Sequence, residues 1–308
     1  MSSVSPDLFP LVSIITVNFN GTAVTRDLLL SLRKATYPAM EVVVIDNGSK
    51  VSCAALALEF PEIKYLDTGS NLGFAGGNNR GIAIARGDYL LLLNNDTEVD
   101  TGFLEPLVAR MQADSAIGVI CPKLLYWDEP DIIQFAGFSP INPITGRGFT
   151  IGYMEKDIGQ HNTAQPTSRA HGAAMMFSRK AFEKTGYMAE IFFLYYEEMD
   201  YCERFKKAGY SIWYEPASRI WHKESMATGK GSTLKTYYYS RNRLLYLRRN
   251  TKGLQRLLMY LYYIMIAVPR NLLGHVLKND VDHFKVFWKG LIWNFKNSSA
   301  DKFDAESH

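Results

Sequence analysis

LVSIITVNFNG (residues 11–21) and EVVVIDNGS (residues 41–49) decide the fold. Each is a nearly unbroken run of Val, Ile and Leu that stops abruptly at Asn, Asp and Gly. Continuous apolar runs of this length, without polar alternation, belong to strands covered on both faces. Working outward, further strands are expected at 64–67, 89–93 (YLLLL) and 118–125, with helical stretches at 22–34, 52–60, 78–86 and 103–113 between them. Strand–helix alternation implies a parallel sheet with right-handed crossovers, whose ligand site lies beyond the carboxyl ends of the strands. The residues at those ends are Asn18 and Asn20, then Asp46-Asn47-Gly48-Ser49, then Asn94-Asn95-Asp96.

The composition agrees with a globular α/β protein. A chain of 308 residues, 47% hydrophobic and 21% charged, has enough apolar material for a sizeable core and is neither disordered nor fibrous. A net charge of +3 does not call for nucleic acid, but the charge is unevenly placed. Between Lys235 and Lys296 stand twelve Lys or Arg against Asp280 and Asp282, so the remainder is net acidic. Cys53, Cys121 and Cys202 are odd in number and follow no metal-ligand spacing, which fits a reduced, cytoplasmic compartment. MSSVSPDLFP lacks the basic and apolar regions of a leader peptide. The longest apolar run, 257–268, ends at Pro269 and falls short of the roughly 20 residues a spanning helix needs.

From about 127 to 167 the periodicity dissolves into Gly, Pro, Asn and aromatic residues, the pattern of an irregular and mobile substrate loop over the sheet. Order returns with a strand at 173–178, a short helix at 179–184, a helix at 197–208 stopped by Gly209, and a strand at 210–214. After Gly231 the chain reads as helix to near Phe295, broken around 251–253 and Asn279, with a disordered last dozen residues.

Four segments carry chemistry, and each has a plain structural alternative. Asn94-Asn95-Asp96 after a four-leucine strand suits a hard divalent cation held partly through substrate phosphates, or simply closes a turn. NLGFAGGNNRG (71–81) offers close backbone approach and an anion-favouring helix start, or tight packing; its spacing is not the dinucleotide G-x-G-x-x-G. Glu197-Glu198-Met199-Asp200 opens a helix, where the dipole keeps carboxylates ionised as a general base requires, and where capping alone is common. Trp221-His222-Lys223-Glu224-Ser225 follows the next strand with a histidine that is either a ligand or structural.

Taken in order, VSIITVNFNG, VVVIDNGS, NLGFAGGNNRG, LLLNND, HGAAMMFSR, FFLYYEEMDYCERFKKAGY and WH resemble the inverting family 2 glycosyltransferases of the GT-A fold, in particular the rhamnosyltransferase and galactofuranosyltransferase branch. The resemblance covers about 12–225. It implies a Rossmann-like, mostly parallel sheet flanked by helices. Residues 1–230 would form the GT-A domain, with a nucleotide-binding half at about 10–126 and an acceptor half at about 127–230. Residues 231–308 would form a helical extension. It also implies transfer of a sugar, with inversion, from a nucleoside diphosphate sugar to an acceptor hydroxyl. Rhamnose from dTDP-rhamnose is the first expectation and a UDP-linked hexose the second. Asn18, Asn20, Asp46, Asn71, Arg80, Asn94 and Asn95 would line the nucleotide site. His171, Gly172 and Ala173 would lie near diphosphate and acceptor, with Glu197 and Asp200 supporting the acceptor. Asp96, at the last carboxylate of the family's D-x-D motif, and His222 would hold Mg²⁺ or Mn²⁺. Glu198 would be the general base. Two positions depart from the family pattern: Asn94 stands where the first D-x-D carboxylate is expected, and Glu198 where Asp is usual.

The basic C-terminal stretch interleaves Tyr, Trp and Leu with Lys and Arg. It suits either a helix lying in an anionic membrane interface or a core-covering or dimer-forming helix pair. Related enzymes use polyprenyl-linked acceptors, which favours peripheral contact with the inner face of the cell membrane, and a homo-oligomer stays open. A non-catalytic sugar-nucleotide-binding protein is the competing class, and nucleotidyl transfer is disfavoured by Asn18-Phe19-Asn20-Gly21 where a Gly-rich basic signature would stand.

Overall fold

The computed structural model describes residues 9–223 and 232–302. Glu224, Ser225, the expected boundary at 230/231, most of the N-terminal segment and part of the expected disordered end lie outside the described residues. Strands β1 (Val12–Asn18), β2 (Met40–Asp46), β3 (Lys64–Asp67) and β4 (Tyr89–Leu93) stand in the order β3-β2-β1-β4, all parallel. They are connected by α1 (Thr22–Leu32), α2 (Ala55–Glu59) and α3 (Gly73–Ile84). Ile14, Ile15, Val43, Val44, Ile45 and Leu91 are fully buried, as the unbroken apolar runs require. Strand order reverses between β1 and β4, which opens a crevice at their carboxyl ends.

Beyond β4 come β5 (Thr97–Val99), α4 (Leu104–Ala113), β6 (Ile117–Tyr126), β7 (Ile133–Phe135), β8 (Gln165–Pro166), β9 (Ala174–Ser178), α5 (Arg179–Thr185), α6 (Glu197–Lys207) and β10 (Ser211–His222). The sheet continues β4-β9-β6-β10-β5. β6 and β10 are parallel, whereas β9 is antiparallel to both its neighbours. It enters the sheet at the crevice end, where the Asn94 amide donates to the Ala173 carbonyl (2.9 Å), and so runs back the other way.

Three elements differ from the sequence reading for identifiable reasons. Helix α3 starts at Gly73, not 78: its glycines lie against β1, and a Cβ on Gly77 would stand 2.8 Å from Val17 Cγ1. Close approach thus overrides the poor helix propensity of Gly. Strand β10 runs on to His222 across Pro216 because a bulge between Glu215 and Arg219 absorbs the proline. The 127–167 stretch is built rather than featureless. It carries β7, β8 and the bridges Ile132↔Lys156 and Phe138↔Thr150, and the fully buried Lys123 ammonium pins it through Asp157 (2.9 Å) and Asn162 (2.6 Å).

The C-terminal helices are α7 (Thr233–Asn250), α8 (Gly253–Tyr262), α9 (Val268–Leu277) and α10 (Val281–Lys296), broken where the sequence places the breaks. α8 and α9 join through a π-helical turn at Tyr263–Ala267, just ahead of Pro269. A wider turn is one way to accommodate a proline that lacks an N–H and crowds the preceding carbonyl. The helix therefore passes Pro269 instead of stopping there. Gly253–Leu277, 25 residues, is long and apolar enough to cross a membrane, which corrects the shorter run read from sequence. It is anchored by one narrow stripe, Met259, Tyr263 and Ala267, in a core shared with Leu244, Leu245, Leu247, Phe192 and Tyr196. Leu257, Ile264 and Met265 on its other faces are exposed.

Candidate active site

The crevice is built from strand ends that bond to one another. Asn18, buried at the end of β1, accepts from the Thr25 hydroxyl (2.9 Å) and donates to Ser49 Oγ (3.0 Å). Thr25 in turn accepts from Asn95 Nδ2 (2.9 Å), so the ends of β1, β2 and β4 form one network. Asp46 spends both carboxylate oxygens on the turn that follows it, accepting from the amides of Ser49 (3.2 Å) and Cys53 (2.8 Å). Burial would raise its pKa, but these hydrogen bonds outweigh that and hold it below the usual aspartate value. Asn20 has a positive φ of 56°, which Asn tolerates, and its side chain accepts from the Lys50 amide (2.8 Å). Asn71 receives the Gly73 amide (2.9 Å), and Asn47 ties Asn71 (3.2 Å), Leu72 (3.0 Å) and Gly73 (3.0 Å) to the end of β2.

Asp96 and His222 meet because β5, which starts right after Asp96, pairs antiparallel with the end of β10, His222 opposite Thr97. His222 Nε2 lies 3.1 Å from Asp96 Oδ1, and both residues are buried. The other ring nitrogen lies 2.8 Å from Gln134 Oε1. A carbonyl oxygen only accepts, so Nδ1 carries the hydrogen, and in the neutral ring the Nε2 lone pair faces the carboxylate. Asp96 and His222 would be the residues to hold a divalent cation here. A carboxylate oxygen and an imidazole whose far nitrogen is fixed by an amide are a donor set that fits Mg²⁺ or Mn²⁺. Among the described residues no cluster of three or more such side chains forms, so the remaining positions would fall to substrate phosphates and water.

His171 stands edge-on to His222, ring centroids 6.0 Å apart. Its Nδ1 accepts from the Ala173 amide (3.1 Å), and burial, with the charges of Arg169 and His222 adding, pushes its pKa well below the usual histidine value. His171 is therefore a neutral ring. Gly172 continues the strip: a Cβ there would stand 3.8 Å from Glu198 Cγ and 3.9 Å from the Phe74 ring. Glu198, largely but not fully buried in the first turn of α6, is oriented by Arg169 (3.1 Å), whose guanidinium stacks over Phe138 at 4.0 Å.

The segment leading into α6 is strained. Phe193, Tyr195 and Tyr196 have φ of 65°, 67° and 75°, each of order 1–3 kcal/mol unfavourable for a non-glycine residue. Helix α7 holds them. Asn242 Nδ2 donates to the carbonyls of Phe192 (2.9 Å), Leu194 (2.7 Å) and Tyr195 (2.8 Å), and Arg241 adds bonds to Ile191 (2.6 Å) and Phe192 (2.5 Å).

The sequence pattern of Glycosyl transferase family 2 matches residues 13–186, more than half of the chain. The chain belongs to glycosyltransferase family 2. It is 30% identical over 205 residues to the low-salt glycan biosynthesis hexosyltransferase Agl10 of Haloferax volcanii, covering 65% of this chain and 63% of that protein's length. It is 24% identical over 246 residues to the N-acetylglucosaminyl-diphospho-decaprenol L-rhamnosyltransferase of Mycobacterium tuberculosis, covering 73% and 78%. In fold it is similar to the mannosyltransferase PcManGT of Pyrobaculum calidifontis, solved with GDP-Man and Mn²⁺, at a TM-score of 0.58, 16% identity and coverage of 96% and 78%. GalNAc-T7, solved with UDP, GalNAc and Mn²⁺, gives a TM-score of 0.60 at 17% identity, covering 88% and 59%. The architecture is thus GT-A-like, as the resemblance implies.

Not every residue singled out from the sequence of this glycosyltransferase joins the strip. Arg80 is exposed on α3, about 10 Å along the helix from Gly73, and makes no hydrogen bond or ion pair among the described residues. Asp200 faces the other way from Glu198: it is 1% exposed and saturated by Arg249 (2.9 and 3.1 Å) and Asn250 (2.9 Å). It fastens α7 to α6 rather than facing a substrate. Glu197 is buried as well, its Oε2 without a partner among the described residues. Burial, reinforced by the Glu198 charge, raises its pKa strongly. Conversely, Gln134, Arg169, Thr25 and Asn242 are missed by sequence reasoning. The first two lie in or near the aperiodic stretch, where no local signal exists.

Proposed function

We propose that this glycosyltransferase moves a sugar from a nucleoside diphosphate sugar to a hydroxyl of a glycan or lipid-linked glycan acceptor, with inversion. The observation that carries the reading is the continuous strip Asp96–His222–His171–Gly172–Glu198 at the carboxyl end of the sheet. Glu198 takes the acceptor proton as the acceptor oxygen attacks the anomeric carbon. The bond from that carbon to the diphosphate breaks on the opposite side, and the nucleoside diphosphate leaves. Arg169 orients the base, and neutral His171 donates from Nε2 into the site. Asn18, Asn20, Asp46, Asn71 and Asn95 frame the nucleotide, with Asp46 acting through the turn it ties. Asp96 and His222 would hold a divalent cation, which supplies charge screening for the diphosphate.

Rhamnose from dTDP-rhamnose is the donor this reading favours, supported by the likeness to the mycobacterial rhamnosyltransferase, with UDP-linked hexoses second. Peripheral contact with a membrane is supported by the exposed apolar faces of α8 and α9. The test is calorimetric titration with dTDP and UDP, with and without Mn²⁺. Metal-dependent binding of one nucleotide supports the reading; no binding of either contradicts the donor assignment.

A further inference from the structure

A cavity of about 410 Å³ opens between α7, the 253–277 helix, α10 and the turn at 142–147, within the range of small-ligand sites. Its charged lining is Arg147 and Arg243, with no Asp or Glu, and Thr236, Ser240, Asn271 and His275 add neutral hydrogen-bonding groups or an imidazole. The Arg147 guanidinium is exposed and makes no hydrogen bond or ion pair among the described residues. Arg243 commits Nε and Nη2 to the Thr145 carbonyl and leaves Nη1 without a partner among the described residues. Tyr263, 6% exposed and under the Arg243 guanidinium (5.4 Å), ends in a buried hydroxyl that likewise has none. The apolar part of the lining is Ala267, Val268, Phe287 and Leu291.

The cavity shares a wall with the segment that leads into the candidate base. Tyr196, two residues before Glu198, forms part of its wall. The Tyr196 hydroxyl, whose pKa burial pushes up to about 12, is also within electrostatic reach of Arg243, Glu198, Arg169 and Arg147. On the outer side the same helix that supplies Tyr263 and Ala267 exposes Leu257, Leu261, Ile264 and Met265, an apolar path leading away from the charged end. One ligand chemistry matches a cationic, donor-rich head against such a path: an anionic phosphate ester on a long apolar chain.

We infer that this cavity seats the diphosphate of a lipid-linked acceptor, with Arg147, Arg243 and Tyr263 binding its oxygens and its hydrocarbon lying along the 253–277 helix. The inference rests on the acceptor side of the transferase reading and deepens it. Its test uses the full chain and three probes: farnesyl diphosphate, inorganic pyrophosphate and farnesol, titrated calorimetrically in mild detergent. Farnesyl diphosphate is expected to bind, pyrophosphate about tenfold or more weakly, and farnesol not at all. R147A, at an exposed side chain that carries no fold contact, should weaken farnesyl diphosphate about tenfold, and Y263F several-fold. D96A should leave that binding unchanged, since Asp96 belongs to the donor side. Binding that ignores R147A and Y263F, that is lost in D96A instead, or that is equal for pyrophosphate overturns the assignment. Nucleotide titration of the same samples separates the two readings. A wild type that binds farnesyl diphosphate through Arg147 but no nucleoside diphosphate sinks the transferase reading alone.

Discussion

Asn242 Nδ2 lies 2.8 Å from the carbonyl oxygen of Tyr195, so a side chain of the C-terminal extension holds a left-handed residue three positions ahead of the candidate base. The same amide bonds Phe192 and Leu194, and Asn242 is fully buried. The extension is therefore part of what shapes the site. N242A leaves the carbonyls of Phe192, Leu194 and Tyr195, one buried and two partly buried, without that donor and should cost about 2–4 kcal/mol of stability. It should also lower kcat more than it raises KM for the donor, because the relaxed loop displaces Glu198. Urea unfolding and steady-state kinetics on the same protein check both parts.

The Asp200–Arg249 pair makes a separate claim. Both side chains are buried and the pair is bidentate, so D200N should destabilise by about 3–5 kcal/mol through loss of the carboxylate that faces the guanidinium. The double variant D200L/R249M should recover part of that loss. A D200N midpoint equal to wild type would contradict a fastening role and return Asp200 to the acceptor side.

Gln134 fixes the His222 ring through Nδ1. Q134L removes that bond while leaving Asp96 and His222 in place, and should weaken Mn²⁺-dependent nucleotide binding about 10–100-fold. Titration of nucleotide against Mn²⁺ concentration reads this directly.

Glu197 gives a pH signature. Its folded pKa is raised by burial and by the Glu198 charge, so the folded state holds a proton that the unfolded chain has lost. Stability from this group is fully present below the unfolded glutamate value of about 4.3 and falls as pH rises toward the folded value. E197Q, which mimics the neutral acid, should flatten that alkaline decline and match or exceed wild-type stability at pH 8. Thermal unfolding between pH 5 and 9 tests it.

The sheet and its polar strand ends are legible in sequence because 11–21, 41–49 and 89–96 carry strong local signals: β-branched and leucine runs cut off by Asn and Asp. Strands β3 and β4 and the helix breaks near 251–253 and 279 follow from the same kind of signal. The start of α3 is not legible, since Gly76 and Gly77 disfavour helix locally and only the approach to β1 explains them. Gln134 and Arg169 become visible only when β7 and the return to β9 bring them beside His222 and Glu198. Arg241 and Asn242 look like ordinary members of a basic helix until the strained loop beneath them is seen. Side chains that act across long sequence separations leave no periodic trace.

The central claim is that Glu198 is the base of a transferase, and E198Q tests it most directly. With the donor that the wild type turns over from a panel of dTDP- and UDP-linked sugars, transfer of labelled sugar is measured alongside the nucleotide Kd. The account predicts a fall in transfer of about 10²–10⁴-fold with the nucleotide Kd essentially unchanged. Transfer at the wild-type rate in E198Q would contradict it.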